Sequence, residues 1–277
     1  MTVPYPCYPD MSPMHVPVEC VTIDLQDITI HGGEWPGASY GLSDWDGWDN
    51  GVDAVGGPVA YPSDDGGIET VVAMKPRTIT LEGDITARDW GELQRMIDRM
   101  GKVLTRPRWD WMTVTERALD GGIGLERMIR VCRLVRPKIT PTTPTSAVFT
   151  LELQAADWRK VDTVQSTQSI RNGQTKSLAN DGDEDADLFC TLAGPMTNPT
   201  LTWPGGSWQL MATIGAGETR TVTSRSVRDP ATSAAYLHKV VGVWPSVPSE
   251  SSVGVAFSCA GATSATEVKL SWRSTWS

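Results

Sequence analysis

The sequence predicts a mainly β protein of two domains, an N-terminal β-sandwich carrying one packed α-helix, followed by a second all-β sandwich. Three observations lead there. Twenty-six glycines and 19 prolines break the chain into short segments, which suits strands joined by turns and not helical bundles. Apolar residues mostly recur with a period of two, and one segment alone, RTITLEGDITARDWGELQRMIDRMGKVL at 77–104, changes to a helical period. Beyond residue 160 only short strands follow, at roughly 8–12-residue spacing. With roughly 100–150 residues per domain, a chain of 277 residues holds two cores.

Residues 1–17 carry prolines at 4, 6, 9, 13 and 17, so they read as an extended arm that cannot join a sheet interior. The first domain then spans 18–160. Val18–Ile30 reads as one or two strands with Val21, Ile23 and Leu25 on one face. His31–Gly67 is rich in Gly, Asp and Trp, with little periodicity, and reads as a long loop or a pair of short hairpins; loops of this length carry function or an interface. Val71–Ile85 reads as two strands broken at Pro76, with Ile79, Leu81 and Ile85 inward. A helix is expected over 87–104, its stripe formed by Trp90, Leu93, Ile97, Met100 and Leu104. Thr86 is the expected N-cap, Asp98 and Lys102 form an i,i+4 pair, and Arg106-Pro107 ends the helix.

Trp109–Thr115 reads as a strand and Gly121-Gly122 as a turn. Leu125–Val135 carries arginines at 127, 130, 133 and 136, and its β-branched residues favour a strand. Arginines on both faces place that strand at an edge or an interface. Lys138–Ser146 reads as a Pro/Thr turn, and Ala147–Gln154 as a strand with Phe149, Leu151 and Leu153 inward. The boundary is set near residue 160. Residues 161–185 form a polar linker or first strand with a tight hairpin turn expected at Asn172-Gly173, and 186–277 form the second domain. Its strands put Trp208, Leu210, Ala212 and Ile214 on one face, then Val253, Val255 and Phe257, then Val268, Leu270 and Trp272.

The net charge of −9 offers no basic face to displace phosphate counterions, so stable nucleic-acid binding is not expected. No run approaches the ~18 apolar residues of a membrane span, and the N-terminus shows no secretion signal. Five cysteines without a CxxC motif argue against a disulfide scaffold or zinc site. Asp44, Asp46, Asp49 and Asp53 invite a calcium reading, but Trp48 stands where an EF-hand needs an oxygen ligand and no glutamate closes the loop. The run Asp181–Asp187 reads as a self-repelling charged linker. His15, His31 and His238 lie in no metal-binding spacing. No GxSxG, GxxxxGK[ST] or GxGxxG motif is present. No catalytic residue, cofactor or metal is assigned. Trp203 and Trp208, flanking Pro204-Gly205-Gly206, form either a sugar-stacking platform or a hydrophobic clasp at a hairpin end.

Several segments taken in order resemble one family. The strand–helix segment 77–104, the loop GLSDWDGWDNG just before it, VFTLELQAADWRK at 148–160, AGPMTNPTLTW at 193–203 and the terminal SWRSTWS resemble siphophage distal tail proteins, also called Dit or phage minor tail proteins. Trp158 departs from that pattern, standing where proline is common. The resemblance implies a structural, non-enzymatic virion protein of a long non-contractile tail, assembled in the host cytoplasm. It implies a hexameric ring built by the first domain and a galectin-like second domain projecting outward. The implied partners are further copies of the chain, the tail tube protein, the tail-tip hub and receptor-binding or side-fibre proteins. Within that frame Trp45, Trp48, Arg127, Arg130 and Arg133 are the candidate subunit contacts, and Trp203 and Trp208 the candidate sugar contacts. A carbohydrate-binding module, another tube or adaptor component and a wall hydrolase are the alternatives.

Overall fold

The computed structural model describes residues 18–33, 35–56, 59–60, 67–68, 73–105, 108–117, 124–224, 226–228 and 239–277. The expected arm at 1–17, the Arg106-Pro107 stop, the Gly121-Gly122 turn, His15, His238 and part of the 31–67 loop lie outside the described residues. Two units are present, Met1–Lys160 and Val161–Ser277.

In the first unit the longer strands are β1 (Val21–Leu25), β2 (Ile28–Gly32), β3 (Ser39–Asp46), β4 (Arg77–Thr86), β5 (Asp110–Glu116), β6 (Leu125–Arg133), β7 (Lys138–Thr143) and β8 (Ser146–Ala155). The sheet runs β7-β8-β4-β3-β2-β1-β5-β6, and β6 also pairs with β8, so the sheet closes on itself. Strand β8 makes the closure by changing partner along one edge. Residues 146–150 pair with β7, and 153–155 pair with β6. Alternation places Ile79, Leu81 and Ile85 of β4 opposite Leu153, Leu151 and Ala147 of β8, with Phe149 opposite Gly83, and these apolar side chains are all at most 2% exposed. Closure leaves fewer edges than an open sandwich sheet would.

The helix α1 spans Trp90–Lys102, shorter than expected at both ends. Its N-cap is Asp89, not Thr86, which is the last residue of β4. The Asp89 carboxylate accepts from the Glu92 amide at 2.8 Å, and the Glu92 carboxylate accepts from the Arg88 amide at 2.9 Å. Leu93, Met100 and Leu104 are buried and Ile97 half-buried. Trp90 is 53% exposed, so the expected stripe is buried from Leu93 onward and not at its first residue. Across the helix, Tyr40 donates to the Met96 carbonyl at 3.0 Å, and Arg99 pairs with Asp27 at 2.8 Å.

Three further expectations are corrected. The Gly/Asp/Trp-rich segment contains the eight-residue strand β3. Strand β6 is no edge: β5 pairs along one side and β8 along part of the other. The Pro/Thr segment is mostly strand β7, an edge of this sheet, where Pro141 costs no ladder hydrogen bond that an interior strand would need.

The second unit contains β9 (Ser166–Ile170), β10 (Thr175–Asn180), β11 (Phe189–Ala193), β12 (Met196–Trp203), β13 (Gly206–Leu210), β14 (Thr219–Thr223), β15 (Ser226–Arg228), β16 (Val240–Gly242), β17 (Ser251–Ala260) and β18 (Glu267–Trp272). One sheet has the order β9-β18-β11-β14-β15. The other runs β10-β17-β12-β13-β16, with Thr213–Ile214 paired to β12. Their inner faces share one core that includes Leu178, Leu201, Val255 and Phe257 from one sheet and Leu192, Val222, Val268 and Leu270 from the other. The polar 161–185 segment thus supplies an edge strand to each sheet, and the Asn172-Gly173 turn crosses between them instead of forming a hairpin. Gly173 has φ +79° there. The acidic run is no free linker either. Asp183 accepts from the Ser277 amide at 2.7 Å, and Asp185 accepts from the Ser249 amide at 3.1 Å.

Candidate assembly site

The tight turn after β3 holds an unusual pair of buried cations. Arg77 opens β4 on its inward face, and Lys160 lies at the end of the first unit; they are 2% and 4% exposed. The Arg77 guanidinium donates from Nε to the Trp158 carbonyl at 2.8 Å. From Nη1 it donates to the carbonyls of Gly47 at 2.8 Å and Asn50 at 3.1 Å, and to that of Trp48. Lys160 Nζ reaches the same Trp48 carbonyl at 3.1 Å and lies 5.1 Å from the Trp48 ring centroid. Burial pushes the Lys160 ammonium down to about 8, and the Arg77 charge adds to that. Gly47, at φ +83°, is required: a Cβ there would stand 1.9 Å from the Thr78 carbonyl oxygen.

Trp45 and Trp48 belong to this same structure. Their rings stack at 5.8 Å, and the Trp48 indole donates to Glu116 at 3.0 Å. They are 2% and 1% exposed. Their area is already buried within the chain, so they are withdrawn as subunit contacts. The three candidate arginines of β6 do not form one surface. Arg127 is half-buried opposite Val114, Arg130 is exposed opposite Trp111, and Arg133 turns to the helix, donating to the Gly101 carbonyl at 3.0 Å. Beyond Trp48 the chain forms two-residue ladders, Ala54–Val55 with Ala73–Met74 and Val59–Ala60 with Gly67–Ile68. Val55 and Met74 are 51% and 41% exposed, and an isolated two-stranded ribbon has little stability of its own.

In the second unit, Trp203 and Trp208 sit on the β12–β13 hairpin. Trp208 is 2% exposed and meets Trp244 edge-on at 5.0 Å, while the Trp244 indole donates to the Leu188 carbonyl at 2.8 Å. No face of Trp208 is open to a sugar ring, so the two-tryptophan platform is withdrawn; Trp203 is half-buried against the same core. No cluster of three or more His, Cys, Asp or Glu side chains able to hold a metal occurs among the described residues. No helix among them is long and apolar enough to cross a membrane.

Arg77 and Lys160 are the residues that sequence reasoning missed. For Arg77 a signal exists: it shares parity with Ile79 and Leu81, so the alternation that buries them buries it. Lys160 carries no such signal, because its burial depends on a turn more than 100 residues earlier.

No protein-family model and no curated protein matches this sequence. In structure the chain is similar to the Dit (gp 19.1) protein of SPP1, described as a paradigm of the hub adsorption apparatus in phages infecting Gram-positive bacteria. The TM-score is 0.57 at 11% identity, over 85% of this chain and 93% of that one. It also aligns with chains of the phage P2 baseplate in its activated conformation with Ca and with Sr. There the TM-score is 0.43, at 8% and 9% identity, over 91% of this chain and 97% of those. The likeness to SPP1 Dit is one of fold.

Proposed function

We propose that this chain is a structural component of the tail tip of a phage with a long non-contractile tail, acting by assembly and not by chemistry. The observation that carries this reading is the fold shared with SPP1 Dit over 85% of the chain, a span larger than either unit alone. Order and spacing of the sequence motifs support the same family independently. In this reading the closed-sheet unit forms a ring of six copies that joins the tail tube protein to the tail-tip hub. The second unit, a galectin-like sandwich, offers a platform for receptor-binding or side-fibre proteins. The exposed apolar residues Val55 and Met74 on their short ladder favour a protein neighbour there.

Native mass spectrometry of the purified chain, with electron microscopy of labelled tails, tests this directly. The expected result is a ring of six copies and label at the distal tail end. A chain that stays monomeric at all concentrations and is absent from tail tips would overturn the proposal.

A further inference from the structure

Two surfaces of the first unit carry opposite charge. The first is a hollow of about 270 Å³ between the last turn of α1 and the start of β7, lined by Ile97, Gly101, Lys102, Arg136, Pro137 and Ile139. Arg133 stands beside it, donating to Gly101, and the Arg136 charge acts on the Arg133 guanidinium. Asp98 is the single carboxylate in the lining. Leu134 and Val135, the two residues before Arg136 in the chain, are 63% and 52% exposed.

The second surface is the outer face of three adjacent strands, β3, β4 and β8. Asp44 lies directly opposite Glu82, Asp46 and Glu152 both flank Thr80, and Asp84 lies opposite Val148. All five carboxylates are exposed, and none forms an ion pair among the described residues. Like charges directly opposite on a sheet are destabilising within the protomer. A cationic neighbour converts that repulsion into attraction. Val148, 47% exposed, gives this face an apolar element as well.

We infer that the acidic β3–β4–β8 face of one copy docks on the Lys102/Arg136 hollow of the next. The inference rests on the ring reading above and names the contact that would build it. The occupant is a second copy because both complementary halves lie on one chain. Two copies with a net charge of −9 each repel at long range, and a contact that brings a cationic patch of one against the acidic surface of the other offsets that repulsion locally. Different patches meeting head to tail make a heterologous interface, the kind that generates closed rings.

The test is a charge swap on the full chain. Lys102→Glu/Arg136→Glu and Asp44→Lys/Glu82→Lys are prepared separately, with assembly measured by sedimentation velocity and native mass spectrometry. Each alone is expected to weaken self-association by about tenfold or more. Mixing the two is expected to restore assembly with the variants alternating, since every interface is then complementary. Thermal melts should be unchanged because the substituted side chains are exposed. If a reversal variant fails to fold, Lys102→Gln/Arg136→Gln and Asp44→Asn/Glu82→Gln replace them; each is then expected to weaken association and flatten its salt dependence. A ring that forms normally in both single-sided variants overturns this contact and leaves the ring reading intact. So does failure of mixing to restore assembly. Assembly that requires a different tail protein on the hollow overturns the second-copy occupant. A wild-type chain that never self-associates overturns this contact, and one that is also absent from tail tips overturns the tail-tip reading as well.

Discussion

Replacing Arg77 with methionine tests how much the buried cation contributes to the first unit. The guanidinium Nε holds the Trp158 carbonyl, and Nη1 serves the carbonyls of Gly47, Trp48 and Asn50. Nη1 has two hydrogens for three acceptors, so three effective bonds are the upper count. Trp48 keeps a donor in Lys160, so about two of the three effective bonds, shared among the Trp158, Gly47 and Asn50 carbonyls, are lost without replacement. At about 1.5–3 kcal/mol for each charge-assisted bond, the gross loss is about 3–6 kcal/mol. Methionine fills most of the volume and removes the desolvation cost of the guanidinium, which offsets several kcal/mol. The net expectation is a loss of about 2–3 kcal/mol. Urea denaturation followed by tryptophan fluorescence reads it, with Trp45 and Trp48 of this turn among the emitting residues of the first unit; the transition of the first unit must be fitted separately from that of the second. Arg77→Lys should recover less than half, since an ammonium cannot span the same fork of acceptors. A loss below about 1 kcal/mol in Arg77→Met would refute the carbonyl accounting.

Lys160→Met isolates a pH effect. The unfolded chain holds this proton up to about 10.5 and the folded chain only to about 8, so between those values the unfolded state binds more protons and stability rises with pH. Wild type should gain up to about 3 kcal/mol across that window, the variant should lack the gain, and parallel curves from pH 7.5 to 10 would contradict it. Gly83→Ala should cost more than about 3 kcal/mol, because the added Cβ would stand 1.9 Å from the Gly41 carbonyl oxygen and 2.8 Å from the Phe149 ring; thermal denaturation measures it. Trp208→Ala should destabilise the second unit by about 3–5 kcal/mol and leave glycan-array profiles unchanged. A selective loss of glycan signal with an unchanged melting temperature would restore the sugar-platform reading.

Much of the first unit is legible because one face of each long strand is buried. The alternation in 77–86 and 146–155 appears as strands in register, residue for residue. Strand β3 is not legible in the sequence for a specific reason. Tyr40 and Leu42 point inward, a bulge between Leu42 and Asp44 shifts the parity, and Trp45 then continues the inward row. A bulge hides period-two alternation from any count along the chain. Strand β7 is hidden by Pro141 within it and Pro137 and Pro144 on either side, and an edge tolerates the proline. The arginine spacing of β6 suggested exposure on both faces, yet Arg133 bends to a helix carbonyl and its neighbours Val131 and Cys132 are buried. The hollow beside α1 and the acidic face joining β3, β4 and β8 were not legible, since each collects residues from distant segments.

The sequence by itself determines the mainly β character, the single helix, the inward rows of the long strands and the motif order that resembles distal tail proteins. Those depend on local periodicity and turn chemistry, which neighbours along the chain encode. Only the tertiary structure decides that the first sheet closes through a shared edge of β8. It also decides that Trp45, Trp48 and Trp208 are core residues, and that Arg77 and Lys160 converge on one turn. Those outcomes depend on which segments meet across intervals from about two dozen residues, as for Val131 with Ala155, to 112, as for Trp48 with Lys160, and burial is a property of that meeting and not of the residue type.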